Sequence, residues 1–137
     1  MPNHFHFLVK QVLDRGISIF LSQLQNSYTK FFNTKYERFG PLFQGAFKAV
    51  RIESDEQLIH TSRYIHINPV VSGITDSLET YEYSSYFEYV NKSIFCSTDE
   101  ILSFFKNRKD YIKFLEDQIA YGKSLELIKH LMFDEKV

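Results

Sequence analysis

The sequence predicts an α+β fold, because stretches with strand character alternate with stretches of helical periodicity. Polar and apolar side chains alternate over residues 3–9, as in a strand with two different faces. Residues 42–52 form a second strand candidate. Apolar side chains recur every three or four positions over residues 17–36 and again after residue 54, which predicts amphipathic helices. We therefore expect a sheet packed against helices.

The alternation in the first strand separates its side chains into two faces. Phe5, Phe7 and Val9 form an apolar face that we expect to be buried against helices. His4 and His6 lie side by side on the opposite face. Two neighbouring neutral imidazoles make half of a site for a divalent metal ion. Strand histidines are more often solvated or packed than metal-bound, so this spacing alone leaves both interpretations open.

Composition restricts the class of protein. At 137 residues, of which 44% are hydrophobic, the chain can form one domain with a core. Its apolar runs are short and interrupted, so we expect no signal peptide, no transmembrane segment and no membrane partner. Cys96 is the single cysteine, which excludes an internal disulfide bond and predicts a cytoplasmic location.

Charge is unevenly distributed along the chain. Residues 1–75 carry eight Lys or Arg against five Asp or Glu, whereas residues 76–137 carry eight against twelve. Basic residues near the middle interleave with Phe39, Phe43 and Phe47, a mixture that suits single-stranded nucleic acid. Core phenylalanines flanked by lysine and arginine stems are the competing interpretation. The predicted DNA-binding residues are Lys30, Lys35, Arg38, Lys48 and Arg51.

The helix predicted after residue 54 carries a phenol and an amide away from its apolar stripe. We expect Ser54 or Asp55 to cap this helix and Pro69 to end it. Tyr64 and Asn68 are four residues apart, so their side chains lie one above the other. Both also have ordinary interpretations, as a packing tyrosine and as a helix-ending asparagine before proline.

The rest of the chain is predicted to be mainly helical and structural. Gly45 suggests a bulge in the second strand. Residues 81–89 are aromatic and are interpreted as packing. Thr98 is expected to cap one helix, a further helix should contain Tyr111, and a weaker one is predicted near Leu125–Met132.

Four motifs occur in a characteristic order. They are MPNHFHFLV at residues 1–9, GPLFQG at 40–45, RYIHINP at 63–69 and YSSY at 83–86. Together they resemble the single-tyrosine HUH transposases, in particular the branch associated with repetitive extragenic palindromes. The resemblance covers about residues 1–90.

The resemblance implies a fold and a chemistry. The fold would be a ferredoxin-like antiparallel sheet with helices on one face, formed by residues 1–90 and followed by a helical extension over residues 91–137. His4, His6 and Asn68 would hold Mg²⁺ or Mn²⁺. Tyr64 would be the nucleophile that forms a 5′-phosphotyrosine on hairpin-bearing single-stranded DNA. His60 and His66 are candidates for its base by position.

The chain departs from the family at its start, because members have a strand and a helix before the paired histidines. This predicts an N-terminally truncated enzyme with an incomplete sheet, or a homodimer that supplies the missing neighbour. Two further functions stay open: an inactive DNA-binding remnant of such a transposase, and a small metal-binding domain with unrelated chemistry.

Overall fold

The computed structural model describes residues 3–125 and is built from helices. These are α1 (Gly16–Lys35), α2 (Asp55–Val71), α3 (Tyr86–Val90), α4 (Asp99–Leu102) and α5 (Arg108–Glu116). A 3-10 turn spans Leu78–Thr80, and residues 119–125 are helical as well. The described chain divides into two compact units, one formed by residues 3–7 with 52–125 and the other by residues 8–51. No helix in the described range has the length and apolar character needed to cross a membrane.

The predicted α+β, ferredoxin-like antiparallel sheet is wrong. Helices account for 53% of the structure, and residues 3–125 contain no strand. The two strand candidates fall largely in different units, and the predicted apolar face of the first stays 40% exposed at Phe5 and 49% at Phe7. An extended segment becomes a strand only when a neighbour satisfies its backbone groups. Alternation in the sequence specifies two faces but does not supply that neighbour.

Helix α1 of the unit 8–51 confirms the predicted helix over residues 17–36, but its apolar stripe is only partly covered. Leu21 is the one buried residue among residues 8–51. Tyr28 and Phe31 on the same stripe are 49% and 59% exposed. Amphipathic periodicity therefore predicted the helix correctly, although little of its apolar face is buried in this structure.

A left-handed residue ends α1. Glu37 has φ 50°, and the Arg38 backbone N–H donates to the Asn33 carbonyl oxygen over 3.0 Å. This is the six-to-one hydrogen bond of a Schellman motif. The Asn33 side chain also donates to the Gly40 carbonyl oxygen, and the Phe43 ring lies 6.1 Å from that of Tyr28. The chain thus turns back on α1, and residues 41–51 remain irregular instead of forming the second strand.

The start of α2 confirms the predicted cap, whereas its predicted end is wrong by two residues. The Gln57 N–H donates to Ser54 Oγ over 3.1 Å. The helix continues past Pro69 to Val71, where Gly73 takes φ 67° and the Ile74 N–H donates to the Pro69 carbonyl oxygen over 2.9 Å. Proline removes its own N–H donor but can still accept a capping bond. Gly73, in the left-handed conformation, therefore determines where the helix ends.

In the other unit α4 and α5 pack against α2, and α3 packs against α5. The Tyr89 ring of α3 also contacts that of His66 in α2. Gly122 lies so close to α2 that an added Cβ would stand 2.7 Å from a Val71 methyl group. The residues of this core are Ile67, Val70, Leu78, Tyr86, Tyr89, Ile101, Tyr111 and Leu115. The domain boundary between residues 90 and 91 stays a prediction, and residues on both sides of it contribute to this unit.

The C-terminal helix predictions have mixed outcomes. The aromatic segment forms α3 and buries Tyr86 and Tyr89, as expected for packing. Thr98 precedes α4, but within the described residues its buried hydroxyl makes no hydrogen bond, capping or otherwise. The predicted helix containing Tyr111 is α5, which Asn107 caps by accepting from the Asp110 N–H. The helix predicted near Leu125–Met132 lies outside the described residues beyond its first position.

Candidate functional site

Three aromatic side chains that the sequence singled out meet in the structure. The ring centroids of His4 and His6 lie 5.1 Å apart, and those of His6 and Tyr64 lie 5.5 Å apart, both edge-to-face. The rings of Phe5 and Phe7 also contact each other, with centroids 4.9 Å apart. The predicted alternation of side chains is therefore kept locally without a sheet. It brings the paired histidines beside the tyrosine of α2.

Asn3 fixes the orientation of the first histidine. His4 Nδ1 lies 2.7 Å from Asn3 Oδ1, and a carbonyl oxygen only accepts, so Nδ1 carries the proton and donates. The lone pair of the neutral His4 ring is then on Nε2. Metal-binding histidines commonly donate their second nitrogen to such an acceptor, which sets the tautomer and raises the basicity of the ligating nitrogen.

The separation of the two imidazoles fits a shared divalent ion. With metal–nitrogen bonds of about 2.1 Å and ligand angles of about 90–110°, two imidazoles on one ion place their centroids about 4.6–5.3 Å apart. The observed 5.1 Å lies within that range. No cluster of three His, Cys, Asp or Glu side chains suited to a metal occurs in residues 3–125. Within the described residues, further protein ligands would therefore be neutral oxygens.

The electrostatics of His6 favour the form that binds metals. Partial burial lowers the pKa of His6 below the usual histidine value, and the neighbouring His4 lowers it further. A lowered pKa keeps the ring neutral at neutral pH, with a lone pair for a metal ion.

Tyr64 and Asn68 share one side of α2 but differ in exposure. Tyr64 is 54% exposed, whereas Asn68 is only 7% exposed. Asn68 was expected away from the core, and it is instead buried. Its Oδ1 accepts a hydrogen bond from Ser72 Oγ over 2.9 Å. The described contacts join Asn68 to Ser72 and not to either histidine, so its role as a metal ligand stays a prediction.

The two histidines considered as bases, His60 and His66, are hydrogen-bonded to other side chains. His60 Nδ1 accepts from Arg63 Nη2 over 2.7 Å, and its ring lies 5.8 Å from that of Phe114. The Arg63 guanidinium in turn covers the Phe114 ring at 4.2 Å. His60 and Arg63 of α2 therefore pack against Phe114 of α5.

His66 belongs to the core. Its Nδ1 lies 2.7 Å from the Tyr111 hydroxyl and its Nε2 lies 2.8 Å from Ser85 Oγ. The Tyr111 hydroxyl also bonds Ser62 Oγ over 2.6 Å, and the Tyr89 ring contacts His66 edge-to-face at 4.7 Å. Burial lowers the pKa of His66 to about 4, so the ring is neutral at physiological pH.

The five predicted DNA-binding residues all belong to the unit 8–51. Lys30, Lys35, Lys48 and Arg51 have exposed side chains. Arg38 is half-buried, donates to Asn33 Oδ1 and the Pro41 carbonyl oxygen, and stacks on Phe32. The guanidinium of Arg38 therefore has a structural role in the turn after α1.

Sequence reasoning assigned no role to Asn3 and placed the aromatic side chains of α1 on a buried stripe. An amide directly before a His-x-His pair could have indicated an orienting partner for the first histidine. Nothing in the periodicity of α1 could have shown that its aromatic face would be exposed.

Comparisons of the chain with protein-family models, with curated proteins and with solved structures found no match.

Proposed function

We propose that this chain is a divalent-metal-dependent enzyme that cleaves and rejoins single-stranded, hairpin-bearing DNA, with Tyr64 as nucleophile. The observation that carries the proposal is the ring cluster in which His6 contacts both His4 and an exposed Tyr64. The resemblance to single-tyrosine HUH transposases assigns roles to these three residues and to Asn68. The structure of residues 3–125 lacks the sheet of that family, so the proposal depends on the local site and not on the fold.

The proposed reaction is a phosphoryl transfer. Tyr64 Oη attacks the phosphorus in line, the bond from phosphorus to the 3′ oxygen breaks, and a 5′-phosphotyrosine and a 3′-hydroxyl result. The phenol proton leaves to solvent or a base, and the departing oxygen takes up a proton. Attack by a 3′-hydroxyl on the phosphotyrosine then restores a phosphodiester and the free tyrosine.

His4 and His6 are the residues proposed to hold the metal ion, with Asn68 or water completing its ligands. A bound Mg²⁺ or Mn²⁺ would polarise the scissile phosphate. Imidazole ligands bring no negative charge to a site that has to accept a phosphate anion. Asn3, through its bond to His4 Nδ1, acts as a positioning residue.

A covalent-adduct assay tests the proposal. The protein is incubated with Mn²⁺ and a hairpin oligonucleotide labelled at its 3′ end, because the 5′-phosphotyrosine retains the 3′ part of the DNA. We expect label on the denatured wild-type protein and none on Tyr64→Phe. Tyr83→Phe is the matched control, since Tyr83 is 79% exposed and lies outside the site. An adduct that persists in Tyr64→Phe would contradict the proposal.

A DNA-binding protein without cleavage activity is the second candidate. The burial of Asn68 favours it, because the amide expected to complete the metal site is only 7% exposed and is hydrogen-bonded to Ser72. Binding of the oligonucleotide without any adduct in Mn²⁺ would support this candidate over the enzyme.

A further inference from the structure

Helix α1 exposes an aromatic surface that its sequence pattern would normally bury. Phe31 and Tyr36 are 59% and 56% exposed, and Tyr28, one turn before Phe31, is 49% exposed. Tyr28, Phe31 and Lys35 are spaced by three and four positions, so they form a stripe along the helix. Tyr36, directly after the helix, packs its ring against that of Phe32 with centroids 4.5 Å apart. Large exposed apolar side chains grouped on one face usually mark a binding surface.

One cation, Lys35, lies near two of these rings. Lys35 Nζ stands 5.8 Å from the centroid of the Phe31 ring and 5.4 Å from that of Tyr36. Both distances fall within the range of cation–π attraction. Lys30 and Lys35, with Ser27, Phe31 and Thr34, line an open groove of about 490 Å³. The surface therefore offers flat rings and ammonium groups side by side.

The unit that carries this surface is basic. Residues 8–51 contain seven Lys or Arg and two Asp or Glu, whereas residues 52–125 contain seven and twelve. The excess of cations thus belongs to the unit 8–51 as a whole and favours a polyanionic partner. An apolar ligand could pack against the rings, but it would leave the ammonium groups of Lys30 and Lys35 without counter-charges.

We propose that Phe31 and Tyr36, extended by Tyr28, form a stacking platform for unpaired bases of single-stranded DNA, while Lys30 and Lys35 bind its phosphates. Every base has a π-face, so such a platform binds single strands without reading their sequence. Paired bases in a hairpin stem are already stacked and cannot use it. This inference rests on the proposed function, which is the reason for taking DNA as the ligand. It places the unpaired segment of that DNA on α1.

The test is binding of a hairpin with a dye-labelled single-stranded tail, measured by fluorescence anisotropy. In the double variant Phe31→Leu/Tyr36→Leu we expect affinity for the tailed hairpin to fall about 5- to 100-fold. Leucine keeps the helix and the apolar bulk but removes the flat ring. The matched control Tyr83→Leu/Phe95→Leu changes two side chains of the other unit that are 79% and 91% exposed, and should bind as wild type.

A second oligonucleotide makes the test specific. A blunt duplex of the stem sequence, which has neither tail nor loop, should bind the Phe31→Leu/Tyr36→Leu variant and the wild type equally. Equal affinity of wild type and variant for the tailed hairpin would overturn the platform, as would an equal loss with the blunt duplex. Circular dichroism establishes that the variant keeps its helices.

Adduct formation and DNA affinity, measured together, distinguish failure of the platform from failure of the proposed enzyme activity. At saturating DNA the Phe31→Leu/Tyr36→Leu variant should still form the Tyr64 adduct, because neither substituted side chain is one of the proposed reacting or metal-binding groups. A wild type that forms the adduct, with no affinity change in the variant, would overturn the platform alone. A wild type that binds no tailed hairpin would overturn both. Concentration-dependent self-association that the variant abolishes would assign the surface to a second copy and overturn the platform.

Discussion

His6 and His66 show that the surroundings of a histidine determine whether it is available for binding or is part of the core. The His6 ring contacts His4 and Tyr64 near the surface, where it can bind a ligand. The His66 ring is 3% exposed and is hydrogen-bonded through both nitrogens to hydroxyl groups. His6 was considered as a metal ligand because it alternates with His4, and His66 as a base because it lies two residues after Tyr64. Packing distinguishes a candidate site residue from a core residue here.

His66 should make stability depend on pH. Its pKa is about 4 in the folded protein and about 6.5 when unfolded, so the unfolded chain binds the proton more readily. Stability is therefore fully present above about pH 6.5 and falls, by up to about 3 kcal/mol, as pH drops towards 4. Urea denaturation at pH 7.0 and 4.5 measures this change.

The control for that measurement is His66→Gln, which removes the titrating group. It should be less stable than wild type at pH 7 but lose less stability between pH 7.0 and 4.5. Backbone hydrogen bonds from Cys96, Ile94 and Phe95 lower the pKa of Glu88 to about 2, so its effect falls mainly below this window. An identical loss in wild type and His66→Gln would assign the pH dependence to other groups.

Asn3→Ala tests the positioning of His4. Without the acceptor at Nδ1, the His4 ring loses its fixed tautomer and orientation, and we expect Mn²⁺ affinity to fall about tenfold. Titration of Mn²⁺ followed by electron paramagnetic resonance measures the free ion directly. Asn26→Ala, a change of the same type on exposed α1, should leave the affinity unchanged. Unaltered affinity in Asn3→Ala, with a loss in His4→Ala, would show that Asn3 does not support the site.

At the scale of elements, the two long helices end in the same way but with different residues. Both close with a left-handed position, occupied by Glu37 after α1 and by Gly73 after α2. Glycine adopts this conformation without strain, whereas other residues pay about 1 kcal/mol or more. The ends of α1 and α2 therefore differ in how well their sequence suits their geometry.

Opposite effects on stability are expected at these two positions. Glu37→Gly should raise the free energy of unfolding by about 0.5–1 kcal/mol, after allowing for the greater freedom of glycine in the unfolded chain. Gly73→Ala should lower it by about 1 kcal/mol through backbone strain alone, because an added Cβ there meets no atom within 4 Å. Chemical denaturation of both variants measures the two shifts. Shifts of the same sign would contradict this explanation.

At the scale of the whole molecule, the charge separates between the two units. The basic unit 8–51 contains all five predicted DNA-binding residues. Replacing two of its lysines, in Lys30→Gln/Lys35→Gln, should reduce the slope of log affinity against log salt by about 1.4 for a single strand. Lys109→Gln/Lys113→Gln, on exposed positions of α5, should leave that slope as in wild type. An unchanged slope in the first variant would place the DNA-binding surface elsewhere.

The sequence predicted local features of this molecule better than its architecture. The spacing of apolar residues in α1 and the Ser54 cap of α2 are local, and both are confirmed. The sheet was wrong because strand pairing depends on a distant partner, which the alternation around His4 and His6 does not specify. The contact between His6 and Tyr64 follows their predicted grouping, whereas the burial of Asn68 depends on packing that no spacing reveals.

The most direct test of the central claim is to locate the DNA on the protein. The Mn²⁺-dependent adduct is digested with nuclease and trypsin, and the modified peptide is fragmented in a mass spectrometer. Cleavage after Arg63 places Tyr64 at the start of a peptide that also contains Tyr81, Tyr83, Tyr86 and Tyr89. We predict a nucleotide phosphate on Tyr64. A phosphate on any other tyrosine of that peptide would contradict the assignment of the nucleophile.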